Sequence, residues 1–317
     1  MGPDELVQIG YVADRHYRGG RSRVELADEL GISRFKVARM LDKALDLGIV
    51  RIEICLPDSI DTRLSNDLKR TFGLKRAIVV HAPSQEPVAV QDALGRVAAQ
   101  LLPEIVKEGD LIGIASGRTL LASTKYLTPL PHADLVSLCG ISNPNAEYSS
   151  QVVRLIADAT GGEVTPIYAP FILPDPKTAA ALREEPRIKA AFDLFDKVTL
   201  GLVVIGSWRP PDSQFHDLAA SYGLAADLLS RGAVGEVCST VLDREGHTVR
   251  GLEDHTLSIL DDQLRRIPEV VAVAGGWRKT DAVLAALRAG LVTSLVTDVE
   301  LARRIISLER GRQPRPT

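Results

Sequence analysis

The sequence predicts an α/β protein in two parts, and three observations carry that prediction. Apolar runs recur from Arg76 onward and alternate with helix-like patterns. Residues 4 to 56 lack such alternation and read as three closely spaced helices followed by a short apolar stretch, "IVRIEICL". The rhythm changes at Pro57, which sets the boundary between a small domain, residues 1–56, and a large one, residues 57–317.

Bulk properties limit what each part can do. A chain of 317 residues fits about two domains, and 45% hydrophobic with 25% charged residues is an ordinary globular composition. Formal net charge is -3, so any affinity for nucleic acid must come from a local patch. Apolar runs stop far short of the roughly 20 residues that a membrane span needs, so no membrane partner is expected. The opening "MGPDELVQIG" lacks the basic-then-apolar order of a signal peptide. Cys55, Cys139 and Cys238 are odd in number and widely spaced, which points to buried free thiols in a reducing cytoplasm. No Cys/His group has ligand spacing, so neither a metal nor another cofactor is expected. The final "RGRQPRPT" reads as a frayed tail.

In the small domain, "SRVELADELGISRFKVARMLDKALDLGIV" follows a specific grammar. Ser22 can cap a helix with apolar positions Val24, Leu26, Ala27 and Leu30. Gly31 can turn the chain at positive φ. Ser33 then caps a second helix that buries Val37, Met40, Leu41, Ala44 and Leu45. Small Ala27 lets the two helices approach closely, which is the helix-turn-helix arrangement. Its second helix presents Arg34, Lys36 and Arg39 at the end that reaches base edges in a major groove. "GIVRIEICL" would form a wing with Arg51 against the sugar-phosphate backbone. From residue 15 to 43 the basic residues outnumber the acidic ones eight to four, inside an acidic chain. The residues expected at double-stranded DNA are therefore Arg21, Ser33, Arg34, Lys36, Arg39 and Arg51. A protein-docking helical module with a solvated charged face is the competing interpretation.

After the amphipathic stretch "RLSNDLKRTFGLK", which would bridge the two domains through Leu64, Leu68 and Phe72, the large domain begins. Its runs are "RAIVV", "DLIGIA", "DLVSLCG", "TLGLVVIG", "VVAVAGG" and "TSLVTD". Continuous apolar strands alternating with helices mean βαβ units and a Rossmann-like parallel sheet covered on both faces. Such sheets bind ligands beyond the carboxyl ends of their strands. Four turns lie there: Ser116-Gly117-Arg118-Thr119, Gly206-Ser207, Gly275-Gly276 leading to Lys279, and Thr297-Asp298. Free backbone N–H groups, hydroxyls and cations at these turns suit an anion. A cation such as Arg118 at a helix start is disfavoured unless an anion lies beside it.

Taken together the chain resembles the SorC family of bacterial transcriptional regulators. The matching stretches include "LADELGISRFKVARML", "GDLIGIASGRTL", "EEPRIKAAFDLFDKVTLGLVVIGS", "GAVGEVCSTVLDREG" and "IPEVVAVAGGWRKTDAVLAALRAGLVTSLVTD". The resemblance implies a winged helix-turn-helix joined to an effector domain similar in fold to sugar-phosphate isomerases. It implies homodimers or homotetramers that bind operator DNA and respond to a phosphorylated sugar or polyol. It matches Arg118 and Thr119 to a phosphate-binding turn, Lys279 to a phosphate-contacting lysine, and Glu236 and Asp243 to positions facing sugar hydroxyls. Two departures stand out: Arg118 replaces a small or hydroxyl residue, and "VSLCGIS" has Cys139 and a single Gly140 where relatives often have two glycines. With no lysine there, an imine to a sugar aldehyde has no nucleophile. That favours a polyol phosphate, or a sugar with fewer charged anchors, over a bisphosphate.

An enzyme is not expected. "GIASGRT" fails the P-loop pattern, and no nucleophile elbow or H-E-x-x-H is present. An isomerase of the same fold, with Asp243 or Glu236 as base, and a carbohydrate-binding protein without DNA binding remain the alternatives.

Overall fold

The computed structural model describes residues 2–51, 60–115, 117–141, 146–208 and 213–312, with side chains of 146–149 left aside. The expected wing falls largely on residues 52–59, and Ser116 and Cys55 also lie outside the described residues. The chain divides into two compact units, Met1–Leu56 and Pro57–Thr317.

The first unit contains α1 (Pro3–Tyr17), α2 (Arg23–Leu30) and α3 (Arg34–Asp46). Local chemistry sets its ends. Ser22 and Glu25 form a reciprocal capping box at the start of α2, and Gly31 ends that helix in the left-handed conformation at φ 65°. The Ser33 hydroxyl accepts the Lys36 N–H at the start of α3. Ile9, Val12 and Ala13 of α1 pack with Leu26, Ala27, Val37, Met40, Leu41 and Ala44 into one core. Val24, Leu30 and Leu45, expected on buried faces, are exposed instead. At 100° per residue Leu45 sits about 80° from Val37, at the edge of the stripe, and Val24 lies about 110° from the Leu26–Ala27 face.

The second unit opens with α4 (Thr62–Phe72), whose Leu68 is fully buried while Leu64 and Phe72 pack beside it. This helix rests on β1 (Arg76–Val80) and on the chain's last helix, within the large unit. There follow α5 (Pro87–Ile105), β2 (Asp110–Ile114), α6 (Arg118–Ser123), β3 (Ala133–Ser137), α7 (Ala146–Thr160) and β4 (Val164–Thr165). Next come α8 (Pro176–Arg183), α9 (Pro186–Phe192), β5 (Leu200–Val203), β6 (Ile205–Ser207), α10 (Gln214–Ser221) and α11 (Ala225–Ser230). The unit closes with β7 (Ala233–Val237), β8 (Thr240–Asp243), α12 (Asp261–Arg266), β9 (Glu269–Val273), α13 (Thr280–Arg288), β10 (Ser294–Asp298) and α14 (Val299–Arg312).

Seven strands form a parallel sheet in the order β1-β10-β9-β5-β2-β3-β4. Alternate residues feed two cores: Val271 and Val273 pack towards α5, α6 and α7, and Val270 and Ala272 towards α13 and α14. Both faces are therefore covered, as the continuous apolar strands require. From β2 the sheet grows one way through β3 and β4, and from β5 the other way through β9 and β10. Strand order thus reverses between β2 and β5, the position where such sheets open a crevice. A second sheet, β6-β7-β8, is antiparallel and stands beside that crevice.

Candidate functional site

A cavity of about 840 Å³ opens at the carboxyl ends of β2, β3, β5 and β9. That is within the size range of small-molecule sites. Its floor is made of turns that only small residues permit. At Gly117 an added Cβ would sit 2.7 Å from the Val204 side chain, so the two loops across the switch point meet closely there. Next to it, the buried Thr119 and the exposed Arg118 both face the cavity. On the β9 side, Gly276 adopts φ 91° and its N–H donates to Asp298 Oδ2 at 2.6 Å. That turn delivers Trp277, Arg278 and Lys279 to the wall, and the Lys279 ammonium donates to the Ile205 carbonyl.

Glu236 forms the polar centre. It is 7% exposed and sits directly across from Gly206 in the β6–β7 pair, where a Cβ on residue 206 would collide with its carboxylate. Oε1 accepts the Ser213 hydroxyl at 2.7 Å. Oε2 and the buried Trp208 indole N–H complete no hydrogen bond of ordinary geometry, yet the indole lies close enough to pull the carboxyl's pKa down. Burial pushes the Glu236 carboxyl up to about 7, against the opposing pull of the Ser213 bond and the Lys279 charge. A buried carboxyl oxygen without a full hydrogen bond is costly as a charge, which favours its protonated form.

Two thiols complete the wall. Cys139 follows β3 and contacts the Ser258 hydroxyl at 3.2 Å. Cys238 occupies the β7–β8 turn at φ 52°, the single non-glycine at positive φ among the described residues. Its hydrogen bond with Cys139, followed by burial, raises its pKa well above the ordinary thiol range. Both are free cysteines.

Of the expected ligand residues, Gly117, Arg118, Thr119, Gly206, Glu236 and Lys279 converge on this cavity. Ser207 does not: it follows Gly206 on β6, and successive strand residues face opposite sides, so its buried side chain points away. Asp243 does not either. It pairs with Ala233 at the far end of the hairpin, where its carboxylate accepts the N–H groups of Glu245 and His247. The Thr297-Asp298 turn stays beneath the site. Asp298 is fully buried, binding Gly276 with one oxygen and capping α14 through Glu300 and Leu301 N–H with the other. Arg154, Gln151, Arg278 and Ser213 were not anticipated. Gln151 and Arg154 lie at i, i+3 on α7, among other polar residues, so no local pattern set them apart.

On the first unit, Ser33, Arg34, Lys36 and Arg39 are exposed on and just before the first turns of α3. Arg34, Lys36 and Arg39 form no ion pair among the described residues, whereas Arg15, Arg18, Arg21 and Lys43 are each paired with a nearby acid. Arg34 stacks over the exposed Phe35 ring at 5.1 Å. Arg21 is held by Glu25 at 3.1 Å, and Arg51 is exposed. No helix among the described residues is long and apolar enough to cross a membrane, and none of their acidic, His and Cys side chains cluster to hold a metal.

Residues 59–307 match the family described as "Putative sugar-binding domain", and the chain belongs to that family. Similarity extends over the helix-turn-helix as well. The transcriptional regulator LsrR of Enterobacter sp. (strain 638) is 29% identical over 308 residues, 95% of this chain and 93% of its own length. The deoxyribonucleoside regulator of Bacillus subtilis is 27% identical, covering 96% and 98%. The crystal structure of the full-length sorbitol operon regulator SorC from Klebsiella pneumoniae superposes with a TM-score of 0.71 at 27% identity, covering 96% of this chain and 99% of that one. The resemblance to SorC-type transcriptional regulators therefore runs through both units.

Proposed function

We propose that the chain is a DNA-binding transcriptional regulator of carbohydrate or polyol metabolism, and that a phosphorylated sugar or polyol in the cavity modulates its grip on an operator. The observation that carries this is the cavity itself: Lys279, Arg118 and Thr119 suit a phosphate, and the Glu236 carboxyl on its wall suits a hydroxyl. The free basic start of α3 supplies the DNA contacts, with Arg34, Lys36 and Arg39 at base edges and Arg21, Ser33 and Arg51 at the backbone. Homodimers or homotetramers in the cytoplasm would set paired recognition helices about 34 Å apart, one turn of DNA. The ligand shifts the packing of such assemblies only as far as it binds one arrangement better than the other.

The test separates the two sites. Fluorescence anisotropy on DNA from the protein's own upstream region measures operator binding with and without sugar phosphates. Lys279→Ala and Thr119→Val should bind DNA normally and lose the ligand response. Arg34→Ala should relax base preference by roughly 1–3 kcal/mol while ligand still raises the melting temperature. Loss of DNA binding in both cavity variants, with the fold preserved, would reject this division of roles.

A second reading rests on Glu236, whose pKa near 7 is what a proton-transferring base needs. A sugar-phosphate isomerase would then turn over pentose or hexose phosphates, and incubation with a panel of them decides the point. Turnover would replace the sensor by an enzyme.

A further inference from the structure

Phe35, in the first turn of α3, takes no part in the domain that carries it. It is 67% exposed and stands outside the core that Val37, Met40, Leu41 and Ala44 share with α1 and α2. At 100° per residue it lies about 120–180° from each of those four, so it faces away from the fold. A lone surface hydrophobe is common and by itself means nothing. Phe35 differs in its company. Arg34 and Lys36 flank it, and Arg39 stands one turn along on the same outward face. No acidic residue occurs from residue 31 to 41, and none of the three cations has an ion pair among the described residues.

An exposed ring set among unneutralised cations suits a polyanion that also offers an apolar surface, and duplex DNA does both. On a duplex the ring can rest against a phosphate or a base edge. Against a phosphate it would strip water from a charge and return no hydrogen bond. In the major groove the apolar group on offer is the C5 methyl of thymine. Cytosine presents an amino donor there, and the purines present acceptors, which a phenyl ring leaves unmet. The Arg34 guanidinium lies over the ring, 5.1 Å from its centroid, a contact that narrows where the guanidinium can swing. Arginine is the side chain that pairs with guanine O6 and N7. Consecutive Cα atoms are about 3.8 Å apart and consecutive bases about 3.4 Å, so residues 34 and 35 reach neighbouring bases.

We propose that Phe35 is a specificity-determining residue of the DNA interface: its ring covers a thymine C5 methyl in the major groove, one base step from the guanine that Arg34 reads. This rests on the DNA-binding reading given above and deepens it. Cations on phosphates hold every sequence alike. The ring, by contrast, separates thymine from cytosine through one apolar contact that removes a methyl group from water.

Replacing thymine by uracil tests it, because uracil lacks the methyl and keeps every hydrogen-bonding group. Selection of random-sequence duplexes by the full chain gives the preferred site. Fluorescence anisotropy at fixed ionic strength then compares that duplex with versions carrying uracil at one thymine at a time. The wild type should lose about fourfold in affinity at one thymine per half-site, the worth of one buried methyl group, and that thymine should adjoin a guanine. Phe35→Ala should melt as the wild type does, because residue 35 lies outside the core, and should no longer distinguish uracil from thymine. Phe35→Leu should keep part of the preference. A selected site with no thymine beside a guanine, or a wild type indifferent to uracil at every position, would overturn the thymine contact and leave DNA binding standing. So would a methyl effect that survives in Phe35→Ala. Indifference to uracil together with an altered oligomeric state of Phe35→Ala in analytical ultracentrifugation would assign the ring to a contact between copies instead. Absence of binding to any duplex would overturn both readings.

Discussion

At the residue scale, Glu236 links the ligand site to stability. Its folded carboxyl titrates near 7 where an ordinary one titrates at 4.5, so the folded chain holds this proton more tightly than the unfolded chain. Its contribution is fully present below pH 4.5 and is lost as pH rises through 7. The loss amounts to about 3 kcal/mol, because each pKa unit is worth about 1.4 kcal/mol. Glu236→Gln keeps the shape and cannot titrate. Relative to that variant, the wild type should lose stability between pH 4.5 and 7 and run parallel above it. Denaturant midpoints across that range would show this, and parallel curves throughout would mean that the carboxyl is not shifted. The sequence brought Glu236 into view only through the family resemblance. Its buried setting depends on Gly206, Ser213 and Trp208, which approach it through non-local pairing, so no window of sequence could show it.

At the element scale, the turn between α2 and α3 was legible because its chemistry is local. Capping residues act on N–H groups two or three positions away, and Gly31 meets its left-handed requirement within the chain itself. The same locality makes a sharp test. Ser33 was expected at DNA, and its hydroxyl is engaged in capping α3. Ser33→Ala should cost about 1 kcal/mol of stability. Ser33→Asp should retain the cap and place a negative charge against the phosphates, so thermal melts should match wild type while DNA binding falls at every sequence. If Ser33→Asp binds DNA normally, the start of α3 does not face the backbone. Strands β6 and β7 show the opposite case, since "VIGS" and "AVGEV" pair across twenty-five intervening residues. That partnership decides which of Gly206 and Ser207 faces the cavity, and alternation assigns the side only once the partner is known.

At the scale of the whole molecule, the division near Pro57 and the parallel sheet were readable because a change of hydrophobic period survives any detail of packing. The direction in which each turn points was not readable. Thr297-Asp298 ends a strand like its neighbours, yet Asp298 lies wholly beneath the site. One of its oxygens holds the Gly276 turn that carries Trp277, Arg278 and Lys279, and the other holds the start of α14. That helix packs on α4, the first helix of the large unit after the chain leaves the small one. The carboxylate thus acts as a single rivet through two plates: the turn cannot shift towards a ligand without loading the helix. An amide has only one acceptor oxygen, so Asp298→Asn can keep one plate fastened and must release the other. Stability should fall by roughly 1–3 kcal/mol, the cost of a buried donor left unmet. If α14 is the path by which occupancy is felt, the variant should still bind sugar phosphate, measured by titration, while operator affinity no longer changes with it. A variant that responds like wild type would place the path elsewhere. Whatever presses on Lys279 is otherwise felt, through one side chain, where the chain enters its larger half.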